Sequence, residues 1–272
     1  MLKTKIAVAL CAILFVTQSS RASLMINEVL LEPSGPNVGQ QFFELRGMPN
    51  QSLSNVSLVV LIGEADGLGI VDQVFDLSAF SLGSNGLFLW RDTPAVLSPA
   101  PDPDTTVGST PLPLGPPAFL ANLSQTFLLV SGFTANPTDD LDGNNDGTLD
   151  SMPWDSVIDS IGLRENDGTP ANEFAFGEQL GFDDFPVTGF DPDAIFRDCD
   201  GTWYASDIDN NPGGPFMFDD AELVDINLNP RSVSDFTGAT MTPGSSNVCL
   251  IPEPTTAALI MIGCAVSIRR RR

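Results

Sequence analysis

Asp142, Asn144 and Asp146 stand at alternate positions, and Gly147 follows them. This is the D-x-N-x-D-G order with which a loop wraps oxygen ligands around a hard divalent cation, the glycine permitting a sharp turn. In such a loop the Thr148 carbonyl and the Asp150 carboxylate add further ligands, the latter directly or through water. The closing glutamate expected at the twelfth position is replaced by Pro153, and Asp140 and Asp155 are out of register. The loop is therefore expected to hold Ca²⁺ weakly, in the ~10⁻⁴–10⁻³ M range of extracellular modules. Asp207-Ile208-Asp209-Asn210-Asn211 is a fainter version of the pattern and reads as a solvated turn.

Four cysteines are present, and Cys11 and Cys264 lie in apolar terminal segments. Cys199 and Cys249 are left, and an oxidising compartment would join them. The chain has no histidine. Ser-His-Asp and Cys-His catalysis are thereby excluded, as are histidine-based zinc and iron sites. Gly67-Leu68-Gly69 lacks the helix and lysine of a phosphate loop. The catalytic option that survives is a carboxylate pair acting on extracellular polysaccharide. That acid-catalysed hydrolase is the alternative to a non-catalytic chain. It would need Trp90, Trp154 or Trp203 beside a deep cleft.

Charge narrows the partners. Lys3, Lys5, Arg21 and Arg269 to Arg272 lie near the two ends. The stretch between keeps five arginines against 34 acidic residues, a balance of −29. Such a surface repels nucleic acid and attracts cations. No basic stripe is available to neutralise a phosphate backbone.

The elements that must position these residues read as strands. Leu24–Leu31, Gln41–Arg46, Ser57–Ile62, Gly69–Asp76 and Gly86–Arg91 are short apolar-rich runs with turn signals between them. Thr126–Ser131, Ser156–Leu163, Phe190–Arg197 and Thr202–Tyr204 continue the series. Residues 94–117 contain eight prolines and read as a long exposed loop. Residues 139–155 form a second, acidic loop. Clean helical periodicity is missing from the middle of the chain, so the pattern predicts an all-β sandwich.

Both ends carry signals. Lys3 and Lys5 precede the apolar run Ile6–Val16, and Ser20-Arg21-Ala22 follows. This is the layout of a signal peptide over residues 1–22, cut by signal peptidase after Ala22. At the other end Pro252-Glu253-Pro254 precedes the apolar stretch Thr255–Ile268 and the arginine cluster. As a helix that stretch is only ~21 Å long against a ~30 Å hydrocarbon core, a marginal span. The arginines place its C-terminal end on the cytoplasmic side. Residues 249–272 resemble the PEP-CTERM sorting segment. That resemblance implies handling by exosortase, a membrane-embedded cysteine peptidase, at the Pro252-Glu253-Pro254 motif. The chain is then transiently membrane-anchored and ends in the cell envelope or extracellular matrix.

Ile26-Asn27-Glu28-Val29-Leu30, Phe43-Glu44-Leu45 and Leu53-Ser54-Asn55-Val56-Ser57-Leu58 look like the opening of a lamin-tail domain. Asp159-Ser160-Ile161-Gly162, Arg197 with Gly201-Thr202-Trp203, and the closing Thr242-Pro243-Gly244-Ser245-Ser246-Asn247 agree with it. The resemblance covers residues 23–248 and implies an immunoglobulin-like β-sandwich, flanked here by short hydrophobic signal helices. The role it implies is non-catalytic, with an envelope or matrix polymer as partner.

Overall fold

The structure, a computed structural model, describes residues 23–32, 40–93, 97–111, 120, 123–165, 170–209 and 215–251. Both terminal signals, including Pro252, Glu253 and Pro254, lie outside the described residues. Among the described residues no helix is long and apolar enough to cross a membrane.

The chain is all-β. Twelve strands are described: β1 Met25–Leu30, β2 Phe42–Arg46, β3 Val56–Ile62, β4 Val71–Asp76, β5 Leu87–Thr93, β6 Thr106–Pro111, β7 Gln125–Ser131, β8 Ser156–Leu163, β9 Asp183–Asp184, β10 Ala194–Arg197, β11 Trp203–Asp209 and β12 Met217–Asp225. They form a seven-stranded sheet, β12-β11-β10-β1-β2-β5-β6, and a five-stranded sheet, β4-β3-β7-β8-β9. Most pairs are antiparallel; β5–β6 and β8–β9 are parallel.

The two sheets pack face to face. Ile26, Val29, Phe43, Leu45, Phe88 and Trp90 of the large sheet share one core with Leu58, Val60, Phe127, Leu129, Ile161 and Leu163 of the small one. The outer faces are covered as well, which explains why β3 and β7 read as unbroken apolar runs. Val59, Leu61, Leu128 and Val130 point away from the main core and pack under Leu68, Leu141, Leu149 and Phe176 from loops. On the large sheet, Leu30, Phe42, Leu89, Phe196 and Tyr204 are covered by Phe216, Phe236, Met241 and Val248. Loops thus supply a second shell of apolar burial on each side.

An ion pair spans the sandwich. Arg197 donates to Asp159 Oδ1 and Oδ2 at 3.0 and 3.2 Å, to Ile26 O at 3.1 Å and to Gly201 O at 2.9 Å. Its guanidinium lies 4.2 Å from the Trp203 ring centroid. Asp159 in turn accepts from Ile26 N at 2.8 Å. One arginine therefore ties β10 and β1 to β8 of the opposite sheet.

Three expectations are corrected. The proline-rich stretch 94–117 is not wholly loop, because Thr106–Pro111 forms β6 and pairs with β5. The prolines bracket a Thr-Val-Gly-Ser-Thr run, and an edge strand tolerates one at its end. A Cβ on Gly108 would come within 2.8 Å of the Trp90 ring, so only glycine fits there. Asp207 is not in a turn but in β11. The acidic segment Met217–Asp225, which alternation did not single out, is the nine-residue edge strand β12.

Candidate functional site

The acidic loop is built from its own side chains. Asp142 is fully buried, and its carboxylate accepts from Asp146 N at 3.2 Å and Gly147 N at 2.9 Å. Asn144 Oδ1 accepts from Asp146 N, and Asp146 Oδ1 from Thr148 N, each at 2.9 Å. Asn145 and Gly147 take positive φ, 56° and 81°, which makes the tight winding possible. Leu141 and Leu149 anchor the loop on the small sheet. Asn144, Asp146, Thr148 and Asp150 are exposed. Among the described residues, Asp142, Asp146 and Asp150 do not bring three acidic oxygens within 4.8 Å of one another; Asp207, Asp219 and Glu222 do. That trio arises where β11 meets β12, a pairing that strand-by-strand reading could not foresee.

A second polar centre lies between β1, β2 and the segment that closes the domain. A bulge between Ile26 and Glu28 breaks the alternation of β1. It leaves Ile26 and Val29 in the main core and faces Glu28 directly against Glu44 on β2. Both carboxyls are buried. Glu28 accepts from Thr242 Oγ1 at 2.6 Å and from Thr242 N at 3.1 Å. Glu44 accepts from Asn27 Nδ2 and from Gly244 N, each at 2.5 Å. Asn27 Nδ2 also donates to Asn247 Oδ1 at 2.6 Å, and Asn247 Nδ2 donates to Arg197 O at 2.5 Å. Residues more than 200 positions apart in sequence thus share one network.

Electrostatics follow from this placement. Burial pushes the Glu28 carboxyl up to about 7, against the pull of the Thr242 bonds. Burial, and then the facing Glu28, raise Glu44 well above the usual carboxylate range. Like charges directly opposite in a sheet repel, so the pair favours protonation.

Beside the network opens a cleft of about 310 Å³ lined by Asn27, Arg46, Asn85, Leu87, Ser246 and Asn247, with Cys199 and Cys249 in its wall. The cysteines form the expected disulfide, with Cα atoms 5.0 Å apart. Arg46 is partly buried, and its Nη2 lies 3.5 Å from Met25 Sδ. Burial, and then the neighbouring Arg197, hold its pKa below the ordinary value. Trp90 and Trp203 are core residues, and Trp154 packs on the outer face of the small sheet. None of the three lines the cleft. No protein-family model, curated protein or solved structure matches the chain.

Proposed function

We propose that this chain is a non-catalytic exported domain with a structural or adhesive role in the cell envelope or extracellular matrix, sorted by an exosortase-type enzyme. The observation that carries the reading is how the fold closes. Ile251 N donates to Asp235 O at 2.7 Å, Leu250 bridges to Phe236, and Cys249 is bonded to Cys199. Ordered structure therefore runs up to Ile251, and Pro252-Glu253-Pro254 follows in sequence. A processing enzyme working at that motif need not unfold the domain to reach it. The lamin-tail reading draws support from the polar network, because Asn27, Glu28, Glu44, Thr242, Gly244 and Asn247 belong to the segments that carry the resemblance.

In this reading signal peptidase removes residues 1–22, and the C-terminal helix holds the chain in the membrane until it is cut. The intact mass of protein recovered from its own host tests the proposal. The expected mass lacks residues 1–22 and everything beyond the Pro252–Pro254 region. A mass that retains Arg272 would count against exosortase handling and for a plain tail anchor.

Calcium enters the proposal as a stiffener of the 142–150 loop. The loop is already closed by its own hydrogen bonds, so the cation would mainly relieve repulsion among Asp142, Asp146 and Asp150. Calcium at ten times its Kd should add about 1.4 kcal/mol. The melting point should rise by roughly 3–6 °C. Asp146→Ala should remove most of that rise, and magnesium should do less than calcium. Sodium at matched ionic strength is the control: an equal rise in sodium would leave no role for a bound ion.

A further inference from the structure

The cleft beside the disulfide contains two groups whose hydrogen-bonding capacity is unused. Asn27 is fully buried, and its Nδ2 is committed to Glu44 and Asn247. Its Oδ1 has no partner. A buried amide oxygen left without a donor costs about 1–3 kcal/mol, so something entering the cleft should donate to it. Arg46 presents the opposite need. The other side-chain ion pairs of the described residues go to Arg164, Arg197 and Arg231, and no described carboxylate lies within 4.0 Å of Arg46. Its guanidinium offers donors and lacks an oxygen to receive them.

These two needs select a ligand chemistry. An ionised carboxylate could accept from Arg46 but has no proton for Asn27 Oδ1. An ammonium could donate to Asn27 but would face the arginine. A hydroxyl does both at once. The chain's surplus of 34 acidic residues over five arginines also disfavours a polyanion approaching from solution. The volume, about 310 Å³, lies at the small end of the ~300–1,000 Å³ range of ligand sites. Leu87 and the disulfide give the cleft an apolar wall against which the C–H face of a ring can lie. Asn85 and Asn247 are already hydrogen-bonded and shape the cleft. Ser246 is exposed at the cleft.

We infer that this cleft binds one residue of a neutral sugar, a ring hydroxyl accepting from the Arg46 guanidinium and donating to Asn27 Oδ1. This rests on the reading of the chain as a polymer-facing exported domain, and it names the chemistry of that polymer. The test is saturation-transfer NMR on the purified full chain with its disulfide intact. The probes are glucose, galactose, mannose, N-acetylglucosamine, cellobiose and glucuronate. At least one neutral sugar should bind with Kd on the order of 1–10 mM, as befits a site with few contacts. Glucuronate should bind at least about tenfold more weakly. Arg46→Met should weaken the neutral sugar about tenfold or more. Ser246→Phe, at an exposed position outside the buried network, should block the cleft to the same degree without lowering the melting point. No neutral sugar bound at about 100 mM would overturn the inference and leave only water in the cleft. Equal affinity for glucuronate, or binding that Ser246→Phe leaves untouched, would overturn it too. The intact mass of the native protein is independent of these outcomes, so failure here is distinguishable from failure of the exported-domain reading.

Discussion

The chain should be markedly more stable near pH 5 than near pH 9, with most of the loss tied to buried carboxyls. Glu28 is pushed up to about 7 by burial. Burial, followed by Asp191, Glu64, Glu173 and Glu32, pushes Glu165 up to about 9. Burial, followed by Asp207, does the same for Asp193. Each such group keeps its proton in the folded chain over a range in which the unfolded chain has lost it. The native state then binds more protons, and stability must fall as pH rises through that range. For Glu28 the window runs from the unfolded value, 4.5, to about 7. For Glu165 and Asp193 it extends to about 9.

At 1.36 kcal/mol per unit, Glu28 alone contributes on the order of 3 kcal/mol across its window. That corresponds to roughly 6–12 °C in melting temperature for a domain of this size. Asp225 works in the other direction: burial raises it, but bonds from Asn229 and Arg231 outweigh burial and leave it lowered. Its contribution is lost only as pH falls below the ordinary aspartate range, so the optimum should lie near pH 4–5. Thermal melts across this series decide the matter, with Glu28→Gln as the diagnostic variant. Glutamine keeps an acceptor for Thr242 and cannot ionise, so it should flatten the slope between about pH 5 and 7. A wild-type melting point that climbs over that interval would mean that Glu28 is ionised in the fold.

Loss of the Cys199–Cys249 bond is the second large effect. The bond closes a loop of 50 residues. Restricting the unfolded chain over that length is worth about 4 kcal/mol in the chain-entropy model. The Cys199→Ser, Cys249→Ser double variant should therefore melt roughly 8–16 °C lower. Local structure adds to the expectation. Cys199 N donates to Val248 O, and Thr237 N to Cys249 O, so the bond fastens the segment that covers Phe196 and Tyr204. The variant should expose that apolar face and bind a hydrophobic dye well below its melting point. Non-reducing peptide maps of native protein should show the two cysteines joined. Alkylation of both without prior reduction would exclude the bond.

Much of the scaffold was legible because strands with apolar faces declare themselves locally. Ser156–Leu163 was read to the residue, and β3, β5 and β7 to within two. What escaped depends on distant partners. β6 exists because Phe88 to Thr93 offer it an edge, and β12 because β11 accepts it, although neither segment has strong alternation of its own. The carboxylates were harder still. Glu28 and Glu44 were legible as motif residues, but their opposition depends on the bulge in β1, and their burial on the turn at residues 242–247. Arg46, Asn85 and Ser246 carry no local sign that they share a cleft. The tryptophans, proposed as aromatics for a hydrolase cleft, are spent on packing.

The covalent link at Cys249 also sets how the domain would bear a load. Tension arriving from the segment after Ile251 would pass through the sulfurs to Cys199, two residues beyond the end of β10. β10 is an interior strand, flanked by β11 on one side and β1 on the other. The pull would therefore enter the middle of a sheet, and the edge strand β12 would not be the first to peel away. The chain between the two cysteines, β11 and β12 included, would lie outside the force path and add no length when the domain is stretched. Reduction would return that slack, so the same protein would act as a short, stiff fastening in an oxidising environment and as a longer, extensible one after reduction.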